Sequence, residues 1–439
     1  MSFGIRDGAD AYVSGHGDTS YDVTHYALDL TYSVHGNHLE GRATLKIRAV
    51  EEIDRVELDL HALNVRKVTV HGAAVKYSDK RNRLTVRLPK PLRAGRSTEV
   101  TVRYSGNPKP IRKRHLGSAG WEELSDGVIV AAQPHGAPSW FPCNDRPSSK
   151  AGYRISVTTS SDYTVISNGK LVEQRRGSRM TTWVYEQRQP MAPYLATVQI
   201  GRYDVVDIKG ARVPVRSAVP HAVRDKFDEA FGRQAEMVDY FSDVFGEYPF
   251  DGYTVVVTED ALEIPLESQS LSTFGANFLR PDWDAVRLVA HELSHQWFGN
   301  SLTVQSWKDI WLHEGFACYA EWLWSEQAGE RDADSRAREH WKRLDGLAQD
   351  LVLSDPGPDL MFDDRVYKRG ALFLHALRLT LGDKTFFDLL SSWAAEHAHG
   401  TVTTEMFVEH LSERVEADLE PLVQAWLIEP GLPELPRSS

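Results

Sequence analysis

His291 and His295 flank Glu292 in the pentapeptide His291-Glu292-Leu293-Ser294-His295, which follows the run Val286 to Ala290, apolar but for Arg287, in helical rhythm. On a helix, an i, i+4 spacing turns both imidazoles to one face, within reach of a single ion, with a carboxylate beside them. That arrangement suits Zn²⁺. The pentapeptide alone is a weak signal in a chain carrying 17 His, so a third ligand is needed. Further along comes Glu314, inside Trp311-Leu312-His313-Glu314-Gly315-Phe316-Ala317, and the positions after it again read as helix. Two His and one Glu leave the fourth tetrahedral position open, which marks a catalytic rather than a structural zinc.

Two kinds of element must position these groups. From Tyr21 the pattern alternates, with Tyr26, Leu28, Leu30 and Tyr32 on one face, and the same period recurs at Leu45 to Ala49, Val56 to Leu60, Leu84 to Leu88 and Val100 to Tyr104. Such runs, separated by Gly and Pro clusters, predict antiparallel sheets of sandwich type over residues 1–204. Near Pro220 the period turns helical, and Phe227 to Phe245 reads as one helix ended by Gly246. A strand at Tyr253 to Thr258 and long helical patterns follow to about Leu427, so residues 205–439 form a mainly α second domain.

The 439 residues, 41% hydrophobic with 12 Trp, are enough to bury more than one core, which excludes disorder for the chain as a whole. A formal charge of −12 disfavours nucleic acid and anionic membranes as partners. The basic run Lys109 to His115 is short and reads as a solvated loop. The 2 Cys, Cys143 and Cys318, build no disulfide framework. With no apolar segment at the N-terminus and none long enough to span a bilayer, a cytoplasmic protein is expected.

His291 to Asn300 (HELSHQWFGN) and Trp307 to Ala317 (WKDIWLHEGFA) closely resemble the aminopeptidase N family of zinc peptidases, gluzincins related to thermolysin. Trp140 to Pro147, Gly246 to Phe250 and Val366 to Arg378 extend the resemblance over nearly the whole chain. It implies an α+β multidomain fold, with an N-terminal all-β sandwich or saddle-like domain followed by a thermolysin-like catalytic domain. It also implies one Zn²⁺ per chain on His291, His295 and Glu314, with Glu292 as general base and Tyr367 as the oxyanion donor. Glu267, in Ile264-Pro265-Leu266-Glu267-Ser268, matches the carboxylate that anchors the substrate's α-amine. Gln133 matches the glutamine that helps bind the amino end and shapes the first side-chain pocket. Glu263 lies near that pocket and would favour Lys or Arg there. Pro265 removes a main-chain donor that relatives offer to the peptide.

Glu321, seven residues after Glu314, is the candidate partner for a zinc-bound imidazole, and Asp309 a weaker one. His313 is a neighbour of the ligands, His397 and His399 are surface residues, and the cysteines serve packing. The expected activity is removal of the N-terminal residue from peptides with a free amine, in peptide processing. A thermolysin-type endopeptidase and a catalytically retired scaffold are the alternatives. Long relatives continue into a helical domain over the site, so a short member with a more open cleft is expected.

Overall fold

A computed structural model describes residues 10–436. In the strand Tyr21–Ser33 the side chains of Tyr26, Leu28, Leu30 and Tyr32 are buried and those between them face outward, as period-2 alternation demands. A bulge between Val23 and His25 shifts the phase by one residue, which lets Tyr21 and Val23 share the same core. This strand is central to an eight-stranded sheet. The order is Lys170–Arg176, Met180–Met191, Ala151–Ser160, Tyr21–Ser33, His38–Ala49, Ser97–Gly106, Asn64–Val70 and Ala73–Ala74. Its pairings are antiparallel except that Tyr21–Ser33 runs parallel to Ala151–Ser160.

A three-stranded sheet (Ile53–Asp59, Arg83–Leu92, Tyr77–Lys80) and a five-stranded sheet accompany it. The latter orders Thr164–Ser167, Val198–Gly201, Gly127–Ala131, Gly117–Leu124 and Ile111–Lys113. The shared core is aromatic: Tyr26 stacks on Tyr153 at 4.8 Å between ring centroids, and Trp140 meets Phe141 at 4.4 Å. Burying such side chains stabilises the fold by roughly 1.5–3 kcal/mol each. The basic run is not simply a solvated loop. Ile111–Lys113 pairs with Gly117–Ala119 as an edge strand, because Ile111 buries its side chain in the middle of the charges.

The C-terminal part begins with a second five-stranded sheet: Tyr203–Ile208, Val215–Pro220, Tyr253–Val257, Leu271–Phe274 and, at the edge, Leu266–Ser268. Its first strand spans the expected division at 204/205. Of the helices that follow, α1 (Arg224–Phe231) and α3 (Trp283–Ser294) pack on the sheet, and α2 (Gln234–Phe245), α4 (Trp311–Gln327), α5 (Ala333–Asp345), α6 (Asp364–Leu381), α7 (Asp383–Glu396) and α8 (Thr404–Arg414) pack on one another and on α3. The single helix expected over Phe227 to Phe245 is two helices. The chain breaks at Gly232, where α1 turns to α3 and the strand Val215–Pro220 while α2 packs on α3 and α7. Glycine permits the break, since a Cβ there would meet the Asp228 carbonyl oxygen at 2.4 Å.

The architecture is thus α+β, a β-rich N-terminal part followed by a mainly helical one. Among the described residues no helix is long and apolar enough to cross a membrane.

Candidate metal centre and active site

α3 starts on Asp282, whose side chain caps the Ala285 N–H, and runs inward so that its last turn lies in the core. That turn carries His291 and Glu292, and His295 follows at the cap, with ring centroids of the two histidines 4.8 Å apart. Glu314 enters from the first turn of α4. Its Oε2 lies 3.3 Å from His291 Nε2 and 3.5 Å from His295 Nε2. Ligand atoms about 2.05 Å from a tetrahedral zinc stand about 3.3 Å apart, so these separations fit the ion.

Proton placement supports the same fit. His295 Nδ1 is 3.0 Å from the Phe298 carbonyl and His291 Nδ1 is 2.8 Å from Glu321 Oε1. Both partners only accept, so both Nδ1 atoms donate and each neutral ring presents its Nε2 lone pair to Glu314. Two lone pairs and a carboxylate, all buried, converge on one point that calls for positive charge. Without an ion the imidazoles hold protons there. Burial pulls His295 down, but Glu267 and Glu314 outweigh it and bring it to about 9. Burial likewise lowers His291, while Cys318, Glu314 and Glu321 raise it well above its ordinary value.

Glu321 also meets Arg287 at 3.2 Å, and the field of Lys368, His291 and Arg287 overcomes its burial and holds it well below the usual carboxylate range. Arg287 was not anticipated from the sequence. It sits one helical turn before His291, a spacing that could have identified it. Lys368 Nζ lies 2.7 Å from Cys318 Sγ, which is 3.6 Å from Glu321, so Cys318 belongs to this polar network and is not mere packing. Cys143 is buried among the β-domain aromatics, with its main chain paired to Asp59.

Asp309 is not part of the site: it accepts hydrogen bonds from the main chain and hydroxyl of Thr404. His313 turns away from the ion position and accepts from the Val304 N–H at 2.9 Å. His397 and His399 are half-buried rather than on the surface, the former against Trp393. Glu396, His397 and His410 form another group, but Arg414 Nη2, 2.5 Å from Glu396 Oε1, already supplies its cation.

Glu267 lies on the edge strand Leu266–Ser268, paired opposite Ser272. Residues just after the histidines hold that strand: Gln296 and Asn300 both donate to the Ser268 carbonyl, and Gln296 accepts from the Ser270 N–H. Gln133 reaches across from the β-rich part and donates from Nε2 to Glu267 Oε1 at 2.6 Å. Burial first, then Glu292 and Glu314 against the opposing pull of His295, push the Glu267 carboxyl up. Burial also raises Glu292, against His291 and His295. Glu263, exposed on the loop before Pro265, lines the same cavity.

Tyr367, in the first turns of α6, stacks on His291 with centroids 6.3 Å apart. Burial, then Glu314 and Glu267, keep its phenol protonated. The approach of α6 to α4 depends on a glycine pair: a Cβ on Gly315 would lie 2.8 Å from the Gly370 Cα. Around these groups is a cavity of about 530 Å³. It brings together Gln133, Glu263, Glu267, Glu292 and Tyr367 with His291, His295, Glu314 and Glu321.

Residues 22–195 match the Peptidase M1 N-terminal domain and residues 229–426 the Peptidase family M1 domain. An M1 zinc metallopeptidase from Deinococcus radiodurans, solved with a Tyr-Ser-Ala substrate, superposes with a TM-score of 0.91 at 30% identity, covering 98% of this chain and 99% of that one. The chain belongs to peptidase family M1. Among curated M1 relatives, leucyl aminopeptidase of Saccharolobus solfataricus is 24% identical over 94% of this chain and 54% of its own length. Aminopeptidase M1-B of Oryza sativa subsp. japonica is 27% identical over 84% of this chain and 46% of its own. This M1 chain therefore spans about half the length of the curated relatives it matches.

Proposed function

We propose that the chain is a zinc-dependent aminopeptidase that hydrolyses the first peptide bond of peptides with a free N-terminus. The observation that carries this reading is the Gln133–Glu267 pair in the same cavity as His291, His295 and Glu314. Among the described residues no Lys or Arg pairs with this buried carboxylate, and once His295 is given over to the metal a peptide's α-ammonium supplies the positive charge it calls for. An endopeptidase has no use for such a group.

His291, His295 and Glu314 would hold one Zn²⁺. When bound, zinc supplies the positive charge that polarises a carbonyl and acidifies water. Glu292 takes the proton from the attacking water and passes it to the departing amine, a role its raised affinity for protons suits. Tyr367, held as a phenol, donates to the oxygen on which negative charge develops. Glu267 and the Oε1 of Gln133, whose Nε2 is already committed, accept from the ammonium and set which bond reaches the catalytic groups. Glu321 fixes the ring of His291. Pro265, without an N–H, leaves the peptide's register to Glu267 and Gln133. Residues 1–204 and 205–439 are proposed as the two units, and cytoplasmic peptide turnover as the setting.

A matched panel of free-amine and N-acetylated peptides tests the reading. Cleavage of free-amine peptides only, lost in Glu292→Gln with the fold and bound zinc retained, is the expected result. Equal cleavage of the blocked series would make the chain an endopeptidase, and zinc binding without turnover a scaffold.

A further inference from the structure

A second cavity, also about 530 Å³, opens beside the metal cavity and shares with it Gln133, Glu263, Ile264, Leu266 and Tyr367. The shared residues include the glutamine that holds the proposed amine anchor and the proposed oxyanion donor. A substrate with its ammonium at Glu267 and its carbonyl at Tyr367 would carry its first side chain beside the residues that line both cavities. Its walls are apolar, from Ile129, Val130, Leu262, Leu266 and Phe362, and two carboxylates line it, Glu122 and Glu263.

The sheet register places Glu122. It pairs directly opposite Ile129, and the chain continues from Ile129 to Gln133. Four extended residues put Gln133 about 13 Å from that pair. An extended lysine or arginine side chain spans about 6–7 Å, and a glutamate reaches back about 4 Å, which closes the gap to hydrogen-bond distance. Among the described residues neither Glu122 nor Glu263 has a cationic partner. Both acids line this cavity, and burial, then the field of Glu263, pushes the Glu122 carboxyl above its ordinary range. The other titratable group in the lining that can be cationic is His115, which is exposed and sits 3.8 Å from Asp359.

We propose that this second cavity receives the side chain of the substrate's N-terminal residue, and that Glu122 acts with Glu263 to select lysine or arginine there. The apolar walls take the aliphatic stem and the carboxylates take the cationic head. The inference rests on the aminopeptidase reading and names the substrate class of that same site.

The test uses zinc-loaded protein and aminoacyl-coumarin amides with one leaving group, so that only the first residue varies. Lysine is compared with norleucine, which keeps the stem and lacks the charge. The kcat/KM ratio is expected to favour lysine by about 10- to 100-fold, to fall about tenfold in Glu122→Gln, and to approach one in the double variant with Glu263→Gln. Rising salt should weaken the preference, because both acids are partly exposed. Thermal melts of the variants establish that they remain folded, as substitution at exposed positions leads one to expect. A wild-type ratio near one, or a ratio that both substitutions leave unchanged, overturns the inference while the aminopeptidase reading stands. A ratio unchanged in Glu122→Gln that falls only in the double variant overturns the assignment of Glu122. No turnover of any free-amine substrate overturns the aminopeptidase reading itself, and this inference with it.

Discussion

Replacing Gly315 with alanine tests whether the helix crossing, and not the metal ligands alone, sets the geometry of the site. The new Cβ would lie 2.8 Å from the Gly370 Cα and 3.0 Å from its carbonyl carbon, both main-chain atoms that no rotamer change can move. Ordinary carbon contacts lie near 3.5–4.0 Å, so α4 and α6 must part by about 1 Å. Alanine gains about 1 kcal/mol of helix propensity over glycine, and overpacking costs about 1–3 kcal/mol. The net is a loss of up to about 2 kcal/mol, which at about 2–4 °C per kcal/mol lowers Tm by as much as 8 °C. The catalytic consequence is sharper. α4 carries Glu314 and α6 carries Tyr367, so the proposed donor moves about 1 Å from its oxygen, a displacement that can cost about 100-fold. His291 and His295 lie outside that crossing, so the variant should still bind one zinc. The assays are kcat on a free-amine substrate, zinc content after gel filtration, and Tm by calorimetry. A variant with wild-type kcat and an unchanged or raised Tm would refute the reasoning, because the gap would then have relaxed without shifting Tyr367.

Glu321→Gln keeps the shape beside His291 but removes the charge that Arg287 and Lys368 compensate; zinc affinity should fall about 10–100-fold, read by competition with a chelator. Glu267→Gln should lower kcat/KM on free-amine peptides by about 100-fold or more while leaving zinc content at one per chain, read by steady-state kinetics and metal analysis. Removal of zinc should abolish turnover yet leave a folded protein, since protonated His291 and His295 can still pair with Glu314; circular dichroism and a melt after dialysis check this. At a distance from the site, burial above all raises the Asp59 carboxyl from 3.8 to about 6, with Asp145 adding to it and His16 and Arg83 opposing. The folded state thus keeps a proton that the unfolded chain gives up, so this group's contribution is full below pH 3.8 and is lost as pH rises through about 6. The shift amounts to roughly 3 kcal/mol, and the slope of stability against pH between 4 and 6 should become more positive in Asp59→Asn, read by urea unfolding.

The parts of the site that were legible in the sequence obey a local period. His291, Glu292 and His295 declare themselves by i, i+4 spacing on a helix, and Glu321 by standing two turns beyond Glu314 on one face. Glu314 was found because two histidines on a zinc need a third ligand and the next helical segment offers a carboxylate. Glu267, Gln133 and Tyr367 come from three separate places in the chain, and no period links them; resemblance supplied their candidacy. The strands of the β-rich part were legible because one face is buried, so alternation survives into the sequence. What was not legible depends on pairing at long range. Glu122 enters the second cavity only through its register with Ile129, and the contact of Gly315 with Gly370 exists only once α4 and α6 cross. The break at Gly232 was hidden by an apolar period that two short helices keep as well as one long helix does.

The β-rich part does more than flank the helices. Lys150, on its side, donates to the main-chain carbonyls of Asn300, Ser301 and Gly400 at 3.0, 2.7 and 3.0 Å, so one ammonium ties the residue ahead of the strand Ala151–Ser160 to the segment just after His295 and to Gly400. Satisfying three carbonyls at once takes three N–H donors, which only the charged amine has. Burial pulls Lys150 down to about 7, yet this triple acceptance favours the cation at the site, and the contact therefore has a charge to lose if the two parts separate. Gln133 makes the second link, from the same side, onto Glu267 itself. With the candidate metal ligands on α3, its cap and α4, the proposed hydrolysis draws only on the helical part, whereas the proposed amine recognition and the walls of the second cavity draw on both. The proposed selectivity for the first residue therefore belongs to the junction, and substitutions there should change which peptide is cut before they change whether one is.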